Sequence, residues 1–311
     1  MQGKYLTSKD ESGVLRFAED AFELVRSCSA LNNHNFLELL GLFMGMKRVV
    51  RLVVTEETYS VIAEFCQRNG LIQRHSRNKQ APKVRAATGD TFTVSVDWDD
   101  PSGKYFVVII GQNYNEVCLA LDCENRSVSY QAFGELYEYP SCCIEAYADL
   151  EAGDEWVSAY LRRSPADQSG SFYSNRLGVL FDGSTLIPDF FPCRLNCVSA
   201  GELGRQYETL LKNIAWHAYV ARIKASLSAP ILIRSGSLLQ LRGSRRSGEL
   251  IIYDQAVTRQ SQWKGLLEED DPFWRADSLL VSNECLQLIS KGQVVSDEPI
   301  SLFNNRLLVF G

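Results

Sequence analysis

The chain has 311 residues, of which 45% are hydrophobic and 23% charged, and it carries a net charge of −6. That length suits one large domain or two modest ones with a sizeable core. The acidic balance gives no overall attraction to nucleic acid or to anionic membranes. No apolar run approaches the roughly 20 residues of a membrane-spanning helix. The opening Met1-Gln2-Gly3-Lys4 leads into no signal-peptide core, so the sequence reads as a cytoplasmic protein.

In chain order, Val14, Phe17, Ala18, Phe22 and Val25 recur at helical spacing and predict an amphipathic helix over Gly13 to Cys28. A second apolar helix is expected over Phe36 to Met46. The β-branched density of Arg48 to Val54 predicts a strand. Thr55 can cap the next helix, Glu56 and Glu57 suit its first turn, and Gly70 suits its stop. These elements read as a compact α-β-α unit closing near Ile72. Arg74, His75, Arg77, Lys79, Lys83 and Arg85 then read as a basic, solvated loop; its alternative use is contact with an anionic substrate or RNA. Thr91 to Trp98, Tyr105 to Gly111 and Glu116 to Asp122 read as three strands of an antiparallel meander, with a turn at Asp99-Asp100-Pro101-Ser102-Gly103. A helix is expected from Cys142 to about Arg162. A further long one is expected from Pro192 to Ser226, broken near Gly201 or Gly204.

From Pro230 the pattern changes to short β runs: Ile231 to Ile233, Leu238 to Leu241, Glu249 to Tyr253, Leu279 to Val281 and Leu307 to Val309. Turns are expected at Gly243-Ser244 and Asn304-Asn305. Arg242, Arg245 and Arg246 gather at an expected hairpin tip. The fold class is therefore α+β: a helical and antiparallel-sheet core over residues 1–227, and a β-rich C-terminal domain over 228–311.

The most informative feature is the cysteines. There are nine, many for a reducing compartment where structural disulfides are rare. Four fall in two short clusters that each follow a proline: Tyr139-Pro140-Ser141-Cys142-Cys143 and Phe191-Pro192-Cys193-Arg194-Leu195-Asn196-Cys197. Each proline suits a helix start, where backbone N–H groups and the dipole favour thiolate, the form that binds metals. Cys193 and Cys197, four apart, would share a helix face. Cys142 and Cys143 diverge by about 100° on a regular helix, so one of the two is expected to ligate and the other to lie beside it. The remaining cysteines read as small buried hydrophobes.

These stretches resemble an archaeal and bacterial family of unknown function with a Gly-Tyr-Pro-x-Cys-Cys-Val motif and, further on, Pro-Cys-x-x-x-Cys. The resemblance covers roughly residues 30–215, including the strand entry Gly45-Met46-Lys47-Arg48-Val49-Val50-Arg51-Leu52. Glu138 stands where the family motif has glycine. The resemblance implies a shared cysteine site and brings no activity with it.

Thiolate softness and the irregular spacing point first to a [4Fe–4S] cluster on Cys142, Cys143, Cys193 and Cys197, and second to zinc. Near the cysteines, Asp189 and Glu145 are candidate general bases, and Arg194 is a candidate anchor for an anionic substrate group. The leading functional expectation is an iron–sulfur sulfur-transfer or lyase-type enzyme acting on a small molecule or modified nucleoside. The alternatives are a zinc-stabilised binding module without catalysis and a metal-free enzyme pairing Cys143 or Cys193 with His217. His217 is expected in an apolar helix, His34 in an exposed loop, and Glu268-Glu269-Asp270-Asp271 in a solvated loop.

Overall fold

The computed structural model describes residues 11–84, 91–126, 130–149, 156–164, 170–234, 237–258, 271–282, 285–300 and 306–310. It opens with α1 (Glu11–Ser27), α2 (Asn33–Phe43), β1 (Val49–Val54), α3 (Glu56–Arg68), β2 (Ile72–Val84), β3 (Thr91–Val96), β4 (Tyr105–Gly111), α4 (Tyr114–Arg126) and α5 (Tyr130–Leu136). The four strands form an antiparallel sheet in the order β1-β4-β2-β3.

The period-2 pattern of β1 and β4 divides their residues between two layers. Val50, Leu52, Val54, Phe106, Val108 and Ile110 pack with α1, α2 and α3. Val49, Val107 and Ile109 pack with Val117 and Ala120 of α4 and with Leu136 and Tyr137 beyond. Arg51 shares the second face, and this places its guanidinium on the side where the candidate site forms.

Three expectations are corrected here. The α-β-α unit does not close near Ile72, because β1 pairs along its whole length with β4. The basic stretch from Arg74 to Lys83 is strand β2; Arg74, His75 and Lys79 themselves pair with β4, and between them Ser76 leaves the ladder to bond Asn78 and Val107. Arg85 lies outside the described residues. Glu116 to Asp122 belongs to helix α4, since Val117 and Ala120 at i and i+3 are the positions it buries.

The middle of the chain is made of short pieces: α6 (Ser141–Ala148), α7 (Trp156–Arg162), two turns of 3₁₀-helix over Phe172–Ser174 and Arg176–Gly178, and α8 (Val179–Asp182). α6 and α7 replace the single helix expected over Cys142 to Arg162. The long helix expected from Pro192 begins instead at α9 (Val198–Asn213) and breaks before α10 (His217–Leu227). The break is at Ala215, whose φ of 62° is left-handed. Gly201 and Gly204 are inside α9, and a Cβ on Gly204 would press on Tyr173 at 3.0 Å.

The tail contains β5 (Ile231–Arg234), β6 (Ser237–Arg242), β7 (Arg245–Ser247), β8 (Leu250–Ile252), β9 (Gln255–Thr258), β10 (Ser278–Val281), β11 (Cys285–Ser290), β12 (Gln293–Pro299) and β13 (Arg306–Leu308). They form two antiparallel sheets, β13-β5-β6-β9 and β12-β11-β10-β8-β7. Ile231 and Ile233 pack on Tyr160, Leu161, Leu177 and Leu195; Leu232, between them, faces the second sheet with Leu239 and Leu279. The first tail sheet thus touches the turn that carries the second cysteine pair. Asp271, expected in a solvated loop, instead caps a 3₁₀ turn and holds buried Arg234 at 2.8 Å. The turn expected at Asn304-Asn305 lies outside the described residues. No helix among them is long and apolar enough to cross a membrane.

Candidate metal centre and adjoining cavity

Two local structures bring the cysteines together. α5 ends in a Schellman turn: Tyr139 N–H donates to the Gly134 carbonyl at 3.0 Å and Glu138 N–H to the Glu135 carbonyl at 3.2 Å. Glu138 occupies the left-handed position of that turn, with φ 57°. The turn leads through Tyr139 to Pro140, which is the N-cap of α6, and Ser141 is the first helical residue. Cys142 and Cys143 follow within the first turn.

The second pair is not on a helix face as expected. Cys193 to Asn196 form a turn, and Cys197 is the N-cap of α9, its sulfur accepting from Ala200 N–H at 3.4 Å. Leu195, between the cysteines and fully buried, anchors this turn. Its N–H donates to Ser164 Oγ at 2.8 Å, and its carbonyl accepts from Ser174 Oγ at 2.7 Å and from Ser171 N–H at 3.0 Å. Cys197 N–H closes the turn onto the Arg194 carbonyl at 3.2 Å.

All four sulfurs lie within 4.8 Å of one another. Cys142 and Cys143 are 3.9 Å apart, Cys142 and Cys197 3.7 Å, and Cys143 and Cys197 3.6 Å. Adjacent helical residues can converge here because Cα–Cβ bonds lean towards the helix N-terminus, and the centre sits at that end. The expectation of one ligating and one bystander thiol therefore does not hold geometrically. Cys143 and Cys197 are buried among Ile187, Phe190 and Ala200. Hydrogen bonds from Cys143 and Cys193, helped by Ala200 N–H, pull the Cys197 thiol down. Cys143, which donates those bonds and is buried, is pushed up. The four cysteines form a group that could hold a metal ion.

Cys143 also lines a cavity of about 620 Å³, within the range of small-molecule sites. Its walls are aromatic: Tyr130, Phe133, Tyr139, Tyr147, Phe190 and Phe191. Tyr147 stacks on Phe191 at 5.8 Å between centroids, and Tyr139 lies 5.4 Å from Phe190. Arg51 grips Glu124 of α4 through two bonds of 3.0 and 3.1 Å at the cavity edge.

The floor holds Asp189. Its carboxylate accepts from Arg176 at 2.6 Å and faces His34 at 3.7 Å, and its N–H donates to Glu38 at 2.9 Å. Glu38 in turn forms a buried pair with Lys47, 2.6 Å from each oxygen. Burial alone would push the Asp189 carboxyl up, but His34, Arg176, Arg51 and Lys47 outweigh it and hold the group below its ordinary value. Burial brings His34 down to about 4, so it is neutral at pH 7. His34 is therefore an enclosed partner of the site and not the exposed loop residue expected.

Of the residues singled out from sequence, the structure brings Asp189 to the cavity. Glu145 and Arg194 are exposed on α6 and on the cysteine turn, and neither lines the cavity. His217 is exposed at the start of α10, not enclosed in an apolar face. His34, Glu38, Lys47, Arg51, Glu124 and Arg176 were not singled out as a group. One left a trace: Glu38 sits alone in Phe36-Leu37-Glu38-Leu39-Leu40, and a charge in an apolar run needs a buried partner.

Fold and site together define an α+β protein with a four-cysteine group capable of binding a metal beside an aromatic cavity. No protein-family model matches the chain, and no curated protein or solved structure is similar to it.

Proposed function

We propose that Cys142, Cys143, Cys193 and Cys197 hold one zinc ion, and that this centre fixes the wall of a small-molecule binding cavity. The observation that carries the reading is the spacing of the sulfurs. Four sulfurs about 2.3 Å from one tetrahedral ion stand about 3.8 Å apart; here the three pairs among Cys142, Cys143 and Cys197 are 3.6, 3.7 and 3.9 Å, and Cys193 keeps all four within 4.8 Å. In a [4Fe–4S] cluster each thiolate binds its own iron at a corner of a larger body, which spreads the sulfurs well beyond this spacing. The geometry favours the zinc-stabilised binding module over the iron–sulfur enzyme.

A site closed by four cysteines leaves no position for water or substrate, which suits a structural ion. Held there, the ion would tie the start of α6 to the turn before α9. It would thereby fix Ile144 and Tyr147 on one side of the cavity and Phe190 and Phe191 on the other. Zinc would supply charge neutralisation and a rigid junction; the binding itself falls to the cavity side chains.

The test is anaerobic purification followed by metal and sulfide analysis and an absorbance spectrum. One zinc per chain and no colour is the expected result. About four irons with sulfide and a brown protein would overturn the reading, as would a metal-free chain with full stability.

A further inference from the structure

We propose that the cavity binds a planar, uncharged nitrogen heterocycle through an edge with one carbonyl followed by ring N–H and amino donors, the edge of a guanine-type base. The proposal rests on the reading of a metal-fixed binding cavity and names the ligand class of that site.

The charges at the cavity cancel. Two carboxylates, Glu124 and Asp189, are matched by two guanidiniums, Arg51 and Arg176. Arg51 is held at two points by Glu124, so it has no full charge to offer a phosphate or carboxylate. Arg176, only 5% exposed, already neutralises Asp189 from behind. A ligand with a net charge of either sign would meet a compensated site and lose its hydration for little return.

What remains open is a pattern of hydrogen-bonding groups. Arg51 spends Nε and Nη2 on Glu124, which leaves Nη1 as a donor. Asp189 spends Oδ1 on Arg176; its Oδ2 is 3.7 Å from His34, too far for a hydrogen bond, so its lone pairs are available. The carboxylate is 40% exposed, whereas Arg176 is 5% and His34 12% exposed. Arg51 and Asp189 both line the same cavity. A donor beside an ionised acceptor matches an edge reading acceptor, donor, donor: the ring carbonyl on Arg51, the ring N–H and amino group on Asp189.

The faces fit the same class. Ring systems stack on aromatic side chains without regard to base identity, and six aromatic residues line the cavity. Tyr130, 62% exposed, stands at the rim, edge-on to Tyr147 at 5.1 Å. The volume exceeds what a free base needs and admits a nucleoside.

The experiment is titration calorimetry of the metal-loaded protein with guanosine, inosine, adenosine and phenylalanine, with metal content measured on the same samples. Inosine keeps the carbonyl and ring N–H but lacks the amino group. Guanosine is expected to bind at least about tenfold tighter than inosine, since an Asp189 acceptor would be left unpaired, and adenosine weaker still. Asp189→Asn should abolish the guanosine preference with the metal retained. Because that variant strands Arg176 and could unfold, Tyr147→Ala serves beside it and should weaken guanosine and inosine alike. Equal affinity for guanosine and inosine, no binding at millimolar guanosine, or preference for phenylalanine would each overturn the proposal. Guanosine selectivity in a protein whose metal proves not to be zinc would leave this inference standing and remove the zinc reading. A zinc-loaded protein without selectivity would do the reverse.

Discussion

The cavity has two polar boundaries, and they are built on opposite principles. The thiolate wall comes from two short segments, Cys142-Cys143 and Cys193 to Cys197. The charged floor comes from pairs of unlike side chains drawn from several elements: Glu38 with Lys47, Arg51 with Glu124, Arg176 with Asp189 and His34 with Asp189. The floor is complete as protein, because Glu38, Glu124 and Asp189 each already meet a lysine or arginine and His34 is neutral. The wall is not, because four clustered thiols repel as thiolates until a cation is shared. Removing a cation should therefore damage the wall and leave the floor, and a side-chain change in the floor should leave metal content alone.

The largest effect is expected at the wall. Cys143→Ser or Cys197→Ser should abolish stoichiometric metal. Because metal binding is folding free energy here, stability should fall by about 5 kcal/mol or more. Thermal melting with and without chelator checks this. The unaltered protein should lose stability on chelation, and the variants should start low and not respond.

The floor should break next. Lys47→Met leaves Glu38, 2% exposed, charged without its partner, at a cost of about 3–5 kcal/mol. Burial already pushes the Glu38 carboxyl up against the pull of Lys47. Glu38→Leu with Lys47→Met should recover much of the loss, since an apolar pair fits the surrounding leucines. Metal content should stay at the unaltered level in both; a drop with the floor variants would mean that wall and floor are one cooperative unit.

A pH titration separates the floor from an ion cluster elsewhere in the fold. His34 is about 4 when folded against an ordinary 6.5, so the unfolded chain binds the extra proton first as pH falls. Its contribution is fully present above about 6.5 and is lost on the way down to about 4. The ceiling of that loss is about 3 kcal/mol. Urea unfolding between pH 7 and 4.5 should show this slope, and His34→Asn should flatten it. Glu208, far from the cavity in α9, works in a lower window. Burial raises its carboxyl, but bonds from Lys212, Tyr173 and Lys224 bring it down to about 2. Its share is therefore lost only below about 4.5, and the two groups can be told apart.

The same contrast explains what could be read from the chain. The wall was legible because its ligands repeat a residue type at short spacing. Even so, the geometry was misjudged: Cys197 caps α9 from outside the helix, and the lean of helical Cβ atoms lets two neighbours converge. The helices α1 and α3, the strands β1 and β4, and five tail strands were legible from periodicity, with Thr55 and Gly70 marking the ends of α3. Strand β2 was not, because its cations alternate with polar residues and gave no period-2 hydrophobic signal. The floor stayed hidden for a different reason. Arg51 and Glu124 are 73 residues apart, and nothing local to either says which charge the fold will bring to it. Only Glu38, a carboxylate alone in an apolar helix, announced that a partner must exist.

The smallest expected effect tests how the chain is delivered to the wall. Four helices end in Schellman turns whose left-handed positions are Gly45, Gly70, Glu138 and Ala215, with φ of 72°, 64°, 57° and 62°. A side chain costs about 1 kcal/mol in that conformation relative to glycine. Ala215→Gly should therefore stabilise the protein by up to about 1 kcal/mol, read as a rise in the urea midpoint. Glu138→Gly should gain less, because it also gives up a pair with Arg48. That pair is long, at 3.6 Å, and both side chains are more than a third exposed, so it is worth only a few tenths of a kcal/mol. If Glu138→Gly instead lowers the midpoint while Ala215→Gly raises it, the Arg48 pair contributes more than an exposed ion pair should. The turn before Pro140 would then be held by that charge, and the glutamate would be a working part of the thiolate wall.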